Sequence, residues 1–342
     1  RGLRGRCAGQ RRRRSGRCDG EANGARRAGL AVRAMLARMD AAQELEVVVA
    51  GRRVHGVRRV GTPEAGLPLV LMHGLACSCA VYGPLFKCLA AREPSREAVA
   101  LDMPGYGGSR AGRTLDIAAL AAWYAEALTA VGVARGHLVG HSMGCQVALA
   151  LARQAPERVA SVTLIGPTTG REGQSLARYM TGLAMDSLSE SCRYNFTLLR
   201  MWSQMGLHRY FVTVPFMLRD TPISLASRVG CPVLVVRGAR DAIVPARVGR
   251  RLAAALPAGS YVEVPKVAHA VQFDRPEAFA GLLLLQATAF ALTPDQALRI
   301  VSGESDERLK ALNDPHTVLP DESVSDAGGV QGSEGSHGCK CA

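Results

Sequence analysis

The sequence Gly-His-Ser-Met-Gly at residues 140–144 restricts the fold of this chain more than any other feature. The apolar residues 136–139 before it predict a strand, and residues 145–152 after it are patterned like a helix packed on a sheet. A side chain at either glycine position would collide with the neighbouring strand or helix. A serine on such a strained strand-to-helix turn projects its hydroxyl to a point that substrate and base can reach. The motif is short, so the rest of the chain has to support this interpretation.

Strand-like and helix-like segments alternate on both sides of this turn. The pattern predicts an opening antiparallel pair and then further strands, at residues 46–50, 53–57, 67–72, 98–101, 136–139, 159–166, 232–236 and 260–264. Helices are expected between them, at residues 80–91, 116–131 with Asp116 as N-cap, after the turn at Ser142, and 276–291. Alternation of this kind predicts an α/β fold with a mostly parallel central sheet flanked by helices.

Residues 167–227 interrupt this alternation. Aromatic and methionine side chains recur there at loosely helical spacing: Tyr179, Met180, Met185, Tyr194, Phe196, Met201, Trp202, Met205, Tyr210, Phe211, Phe216 and Met217. We predict that this segment is a helical lid, inserted between the two parts of an α/β core at residues 39–166 and 228–292. The apolar face of such a lid packs on the core and also borders the site.

The two ends of the chain differ in charge from its middle. Residues 1–38 hold 12 arginines and two acids, without a secondary-structure pattern, and we expect a disordered arm. It is either an Arg-rich presequence or, as we prefer, extra coding sequence ahead of Met35 or Met39. Residues 293–342 are acidic and contain serine and glycine, which predicts a disordered tail. Because most of the net charge of +13 lies in the arm, we expect no nucleic-acid binding.

The composition also bears on the compartment. Ten cysteines follow neither a disulfide framework nor the spacing of a zinc site, which favours a reduced, cytoplasmic protein. No run approaches 18 uninterrupted apolar residues, so no membrane span is expected. Nothing in the sequence implies a metal or an organic cofactor, and oligomeric state is not predicted.

Two further residues lie where Ser142 would need them. A serine hydroxyl needs a base to remove its proton, and the base needs an acid to fix its tautomer. Asp241 follows the apolar strand at residues 232–236, and His269 lies in the loop between the last strand and the closing helix. Sites of open α/β sheets collect at the carboxyl ends of strands. We therefore predict Ser142 as nucleophile, His269 as base and Asp241 as its acid partner.

An acyl-transfer reaction also needs hydrogen-bond donors for the oxyanion that it generates. The backbone N–H of Met143, directly after the serine, is one candidate. The loop after the strand at residues 67–72 supplies the second, for which we predict the N–H of Leu75. Gly74 permits close approach of the backbone there, and His73 is expected to orient the loop.

The combined set of motifs resembles the α/β-hydrolase superfamily over roughly residues 44–290. The resemblance rests on His73-Gly74, the segment from Asp102 to Ser109, the serine turn, residues 238–241 and Ala268-His269. It implies the α/β-hydrolase fold, the chain order Ser, Asp, His for the catalytic residues, and a structural, non-catalytic role for the Asp102 loop. A serine at position 142 is not expected in the haloalkane dehalogenase and epoxide hydrolase branches, which use aspartate there.

Within the superfamily, the residues favour an esterase. Residues 269–274 are similar to the segment that follows the histidine in carbon–carbon bond hydrolases of ring-cleavage products. Those enzymes usually have a glycine-rich run where Leu75-Ala76 stands and an asparagine where His141 stands. We therefore expect cleavage of a small to medium carboxylic ester with apolar groups, through an acyl-enzyme, with carbon–carbon hydrolysis as the alternative. The substrate-binding candidates are His73, Gly74, His141, Trp202 and Phe273.

A function from another class is a catalytically silent binding protein on the same fold. Such proteins usually have a damaged set of catalytic residues, whereas Ser142, Asp241 and His269 are all present here.

The carbon–carbon hydrolases also place an arginine in the lid. Four arginines of this chain are candidates, and the sequence does not rank them: Arg193, Arg200, Arg209 and Arg219.

Overall fold

The computed structural model describes residues 42–172, 175–289 and 294–302. The predicted arm at residues 1–38 and the tail beyond residue 302 lie outside the described residues. Among the described helices, none combines the length and the apolar character needed to cross a bilayer.

Eight strands of the described chain form one sheet. Their bounds are β1 Gln43–Val49, β2 Arg52–Arg59, β3 Leu69–Met72, β4 Ala98–Leu101, β5 Gly136–His141, β6 Val159–Ile165, β7 Val233–Gly238 and β8 Gly259–Val264. The strands lie in the order β1-β2-β4-β3-β5-β6-β7-β8. Strand β2 is antiparallel to both of its neighbours, and all pairs from β4 to β8 are parallel. The predicted mostly parallel sheet is confirmed.

Helices follow the strands along the chain. Their bounds are α1 Gly83–Arg92, α2 Ile117–Ala130, α3 Met143–Gln154, α4 Leu176–Ser189, α5 Cys192–Met205, α6 Leu207–Arg219, α7 Ala246–Ala255, α8 Val271–Asp274, α9 Pro276–Ala289 and α10 Pro294–Ser302. The side chain of Asp116 accepts a hydrogen bond from the N–H of Ala119, as expected for the N-cap of α2.

Both faces of the sheet are covered, which explains why its central strands are continuously apolar. Val70 and Met72 of β3 belong to a core cluster that includes Tyr124 of α2 and Leu151 of α3. The intervening Leu71 is equally buried and points to the opposite face, because successive side chains of a strand alternate. Because both faces of these strands are apolar, the sequence pattern predicts a parallel sheet.

Three consecutive helices, α4 to α6, occupy the chain between β6 and β7. Serines cap the first two: Ser175 accepts from the N–H of Arg178, and Ser191 accepts from the N–H of Tyr194. We refer to residues 176–219 as the helical insertion.

The structure corrects the start of the predicted tail. Helix α10 lies within residues 293–342, which the loss of apolar pattern had indicated to be disordered. Its Ala297 is fully buried, and Ile300 approaches Gly281 of α9. Packing of a short amphipathic stretch against α9 thus stabilises a helix that the polar composition conceals.

Candidate active site

The turn at Ser142 joins β5 to α3 in a strained conformation. Ser142 has φ of 55°, a value that side-chain-bearing residues rarely adopt. The two motif glycines have no room for a side chain: a Cβ on Gly140 would lie 2.7 Å from the Cα of Cys145. A Cβ on Gly144 would lie 2.1 Å from the carbonyl oxygen of Met72 on β3. The close approach of strand, turn and neighbouring strand therefore requires glycine at both positions.

Asp241 is fixed by the loop that follows β7. Its Oδ1 accepts hydrogen bonds from the N–H groups of Ile243 (2.9 Å) and Val244 (2.8 Å). Its Oδ2 lies 2.8 Å from Nδ1 of His269, in the loop after β8. These three contacts satisfy both oxygens of this buried carboxylate. The structure therefore brings Asp241 and His269 together.

The ring of His269 is buried, and burial by itself lowers the pKa of an imidazole. The charge of Asp241 and its hydrogen bond outweigh this effect, so the pKa of His269 is raised above its ordinary value of 6.5. Nδ1 donates to Asp241, which leaves Nε2 as the basic nitrogen. This Nε2 is buried and has no hydrogen-bond partner among the described residues.

Ser142 lies at the same edge of the sheet as this pair. Its N–H donates to the carbonyl oxygen of Ile165 (2.9 Å), at the end of β6. The next residue, Gly166, has φ of 52°, and a Cβ there would lie 2.6 Å from Nδ1 of His269. The ring of His141, directly before the serine, lies 4.9 Å from the ring of His269, centroid to centroid. The end of β6 thus contacts the backbone of the serine through Ile165 and the ring of the histidine through Gly166.

The two predicted oxyanion donors are Met143, directly after Ser142, and Leu75, in the loop after β3. Met143 is the first residue of α3, so its N–H has no acceptor within the helix. Leu75 follows Gly74, whose Cβ position would lie 3.0 Å from the Cβ of Ser142. A side chain at residue 74 would therefore crowd Ser142, and glycine permits the close approach of the loop after β3.

Two other predicted binding residues have different surroundings. His73 is fully buried, donates from Nδ1 to the carbonyl oxygen of Gly74 (2.9 Å) and accepts at Nε2 from the N–H of Met103 (3.0 Å). Both nitrogens are used, so His73 orients the loop and has no nitrogen left for a substrate. Burial and the neighbouring His269 hold the pKa of His141 well below its ordinary value, which makes His141 a neutral ring beside the serine.

The remaining predicted binding residues lie in or against the helical insertion. Phe273 of α8 is buried, packs edge-on against Tyr194 (5.2 Å between centroids) and carries the guanidinium of Arg193 over its ring at 5.4 Å. Trp202 of α5 packs perpendicular to Tyr210 of α6, with centroids 5.2 Å apart. Phe273 lies on a short helix, four residues after His269, and its ring contacts the insertion. Trp202 lies within the insertion and packs on another of its helices.

A second buried histidine–aspartate pair lies elsewhere on the sheet. Oδ2 of Asp102 lies 2.8 Å from Nδ1 of His55 and also accepts the N–H of Gly108 (2.8 Å), while Oδ1 accepts the N–H of Cys79 (2.6 Å). The ligand atoms of His55, Cys79 and Asp102 lie within 4.8 Å of one another, the one such group that the described residues contain. Both oxygens of Asp102 are already occupied by N–H donors, so this pair fixes the loop after β4.

Three residues that the sequence analysis missed support the predicted site. Arg237 of β7 donates to the carbonyl oxygens of Asp241 (2.7 Å) and Val244 (2.6 Å). Asp186 and Glu190 of the insertion accept from backbone N–H groups of the two loops that carry Asp241 and His269. Two features of the sequence could have indicated these residues. One is the single arginine at the end of an apolar strand, and the other is the pair of acids, the only two in residues 176–219, which are four positions apart.

Comparison with known proteins agrees with this architecture. A family model for the alpha/beta hydrolase fold matches residues 68–191. The dihydrolipoyllysine-residue acetyltransferase component of the acetoin cleaving system of Pseudomonas putida is 31% identical over 63% of this chain, and the match spans only 61% of that protein. The pimeloyl-[acyl-carrier protein] methyl ester esterase of Nitrosomonas europaea is 27% identical over 65% of this chain and 96% of that protein. The 2-hydroxy-6-oxononadienedioate/2-hydroxy-6-oxononatrienedioate hydrolase of Paraburkholderia phymatum is 26% identical, over 63% and 85%.

Solved structures show the same fold. The enol-lactonase of Burkholderia xenovorans LB400 superposes with a TM-score of 0.61 at 20% identity, covering 72% of this chain and 99% of that one. A membrane phospholipase A described as a bacterial virulence factor gives a TM-score of 0.64 at 21% identity, covering 78% and 91%. At these identities the likeness concerns the fold.

Proposed function

We propose that this chain, which has the α/β-hydrolase fold, is a serine hydrolase that cleaves small to medium carboxylic esters with apolar groups. The observation that carries the proposal is the Asp241–His269 pair at 2.8 Å, with its free Nε2 at the sheet edge where Ser142 stands on a strained turn. Esterase relatives support the same class of reaction.

In the proposed mechanism, Nε2 of His269 takes the proton from Oγ of Ser142 as the oxygen attacks the acyl carbon. The N–H groups of Leu75 and Met143 stabilise the oxyanion, and loss of one such donor costs about 3–4 kcal/mol. His269 then gives its proton to the departing alcohol, which leaves an acyl group on Ser142. Water then attacks this acyl-enzyme as Nε2 takes a proton from it, and His269 returns that proton to Oγ of Ser142 as the carboxylic acid departs.

The surroundings of His269 suit this role. A general base works best when its pKa lies near the operating pH, and Asp241 raises the pKa of His269 in that direction. Asp241 is held by Ile243, Val244 and, through its carbonyl group, by Arg237, so it can fix the Nδ1–H tautomer without moving. The helical insertion is proposed as the lid, whose Tyr194 packs on Phe273 near His269.

A chain-length series of p-nitrophenyl esters tests the proposal. We expect the wild type to hydrolyse the series with an optimum that sizes the acyl pocket, and Ser142→Ala to lose about 10⁵–10⁶-fold in kcat. Ser187→Ala removes a hydroxyl from the exposed surface of α4 and is the matched control. Ester hydrolysis that Ser142→Ala retains would contradict the proposed nucleophile.

Carbon–carbon hydrolysis is a second candidate because of one specific resemblance. Residues 269–274 are similar to the segment after the histidine in such enzymes, and one relative is named a 2-hydroxy-6-oxononadienedioate hydrolase. If the wild type hydrolyses no ester but consumes a 2-hydroxy-6-oxo-dienoate, this candidate replaces the esterase. Failure with both substrate classes would favour the catalytically silent binding protein.

A further inference from the structure

Two acids of the helical insertion contact the loops of both Asp241 and His269. Oδ1 of Asp186, in α4, accepts the N–H of Ala242, the residue after Asp241, at 3.2 Å. Oε1 of Glu190, directly after α4, accepts the N–H of Ala270, the residue after His269, at 2.8 Å. The two acceptors are one helical turn apart and reach loops that follow β7 and β8.

From these contacts we propose that Asp186 and Glu190 are positioning residues, which hold the Asp241 and His269 loops at their working separation. The inference rests on the proposed serine hydrolase function. It assigns the insertion a part in assembling the site, in addition to covering it. We call Asp186 and Glu190 the carboxyl clamp.

Burial shows that the clamp is not a surface contact. Asp186 is 3% exposed and Glu190 is 7% exposed, and acidic side chains are almost never so buried without partners. Gly182, one turn before Asp186, lies so close to the Asp241 loop that a Cβ would meet the carbonyl oxygen of Ala242 at 2.6 Å. Helix α4 therefore lies directly against the Asp241 loop. Asp186 belongs to this helix and binds the backbone of the loop, so both elements fix its position.

The clamp also continues to α8. Oγ of Ser191, the N-cap of α5, donates to Oδ1 of Asp274 at 2.6 Å. Asp274 in turn interacts with the side chain of Glu190. The turn between α4 and α5 is thus joined to both ends of the segment 270–274, which directly follows His269.

The surroundings of Glu190 favour its protonated form. Burial, together with the nearby carboxylates of Asp274 and Asp186, raises the pKa of Glu190 to about 10. A neutral carboxyl group still accepts the N–H of Ala270, and its own proton is available to a neighbouring carboxylate. Three ionised carboxylates at this spacing would repel each other, and protonation of Glu190 relieves that repulsion while its bond to the N–H of Ala270 remains.

Asp186 acts on His269 through its charge as well. Its negative charge raises the pKa of His269, in addition to the larger effect of Asp241. The charged or titratable groups that face the clamp come from several elements: Asp241 and His269 from the two loops, Asp274 from α8 and Tyr194 from α5. The two clamp residues therefore have separable effects. Glu190 acts on the geometry of the site, whereas Asp186 acts on that geometry and also on the charge near His269.

The test compares three variants of the full chain. Glu190→Gln keeps a neutral acceptor for the N–H of Ala270, and we expect kcat within about threefold of wild type, since the positioning bond remains. Glu190→Leu has similar size but no acceptor, and we expect kcat to fall by about 10- to 100-fold with KM little changed, because displaced catalytic groups lose orientation. Asp186→Asn should shift the acid limb of the kcat/KM profile to lower pH.

Each kcat is calculated from the concentration of active sites that an organophosphonate titrates, so that misfolded protein does not lower it. A merely structural role would lower that fraction and the melting temperature, but leave kcat per titrated site and the pH profile unchanged in all three variants. That result would overturn the proposal. Equal losses in Glu190→Gln and Glu190→Leu would overturn the protonated clamp, because only a required negative charge explains them.

Hydrogen exchange of the backbone gives a readout that needs no substrate. In the segment 266–273, we expect the N–H of Ala270 to exchange faster in Glu190→Leu than in wild type, and unchanged in Glu190→Gln. If the wild type hydrolyses no ester but this difference is seen, the proposed function fails and the clamp stands. Equal exchange in all three proteins overturns the clamp.

Discussion

At the scale of residues, two buried histidine–aspartate pairs have nearly the same geometry and different surroundings. His55–Asp102 and His269–Asp241 both join Nδ1 to a carboxylate oxygen at 2.8 Å. Both oxygens of Asp102 are occupied by backbone N–H groups of its own and a neighbouring loop. The second pair adjoins the strained Ser142 instead. The neighbours of each pair, rather than the pair itself, indicate which one is proposed as catalytic.

The pH dependence of hydrolysis follows from the His269–Asp241 contact. The pKa of His269 is raised, so the base becomes protonated, and activity falls, as pH decreases through a value above 6.5. Asp241→Asn removes the charge that raises this pKa and the acceptor that fixes the tautomer. We expect kcat to fall by about 10⁴-fold and the remaining acid limb to move to lower pH. A pH–rate profile between pH 5 and 9 measures both effects; an unmoved limb would contradict the assignment of the base.

Gly166 lies against the ring of His269 and follows Ile165, which binds the N–H of Ser142, so we expect it to set the spacing of the two. A pair of glycine substitutions tests this. Gly166 (φ 52°) and Gly132 (φ 77°) both have left-handed conformations, but a Cβ on Gly132 would meet nothing within 4 Å. Both alanine variants should lose about 1–2 kcal/mol of stability from the backbone strain. Only Gly166→Ala crowds Nδ1 of His269, and we expect its kcat to fall by about 100-fold. Equal kcat values for the two variants would show that residue 166 does not space the site.

At the scale of elements, the sequence pattern identified the strands because both faces of the parallel sheet are apolar. Predicted strand ends differ from the observed ones by up to three residues, since hydrogen-bond pairing rather than hydropathy ends a strand. Residues 232–236 predicted β7, yet the strand extends through Arg237 to Gly238. Arg237 continues the strand because its guanidinium binds carbonyl groups of the following loop. A tertiary contact of this kind has no periodicity to detect.

The loop after β4 gives a prediction at this scale. Asp102→Asn puts an amide in place of a carboxylate that three donors share, and breaking such a buried pair costs about 3–5 kcal/mol. We expect a large loss of unfolding free energy in urea, with kcat of the folded protein nearly unchanged. Asp116→Ala, which removes the N-cap of α2, is the control and should cost about 1 kcal/mol. A loss of kcat comparable to that of Asp241→Asn, without loss of stability, would assign Asp102 to catalysis.

At the scale of the whole molecule, the order of the segments was predictable and the contacts between them were not. Ser142, Asp241 and His269 follow the ends of strands, so the sequence could place each of them at the same edge of the sheet. The clamp contacts join residues 56 and 80 positions apart, and nothing in the local pattern of α4 indicates which loop it meets. His73 was expected to orient its loop and was also a substrate-binding candidate, and the hydrogen bonds to Gly74 and Met103 that support the first role are seen only in the folded chain.

Covalent labelling with a fluorophosphonate tests the central claim, that Ser142 is a nucleophile activated by His269 and Asp241. The wild type should gain one phosphonyl group, which peptide mapping by mass spectrometry locates on Ser142. Ser142→Ala should gain none, and His269→Ala should react far more slowly. A folded wild type that stays unlabelled, or that carries the label at another residue, would contradict the account.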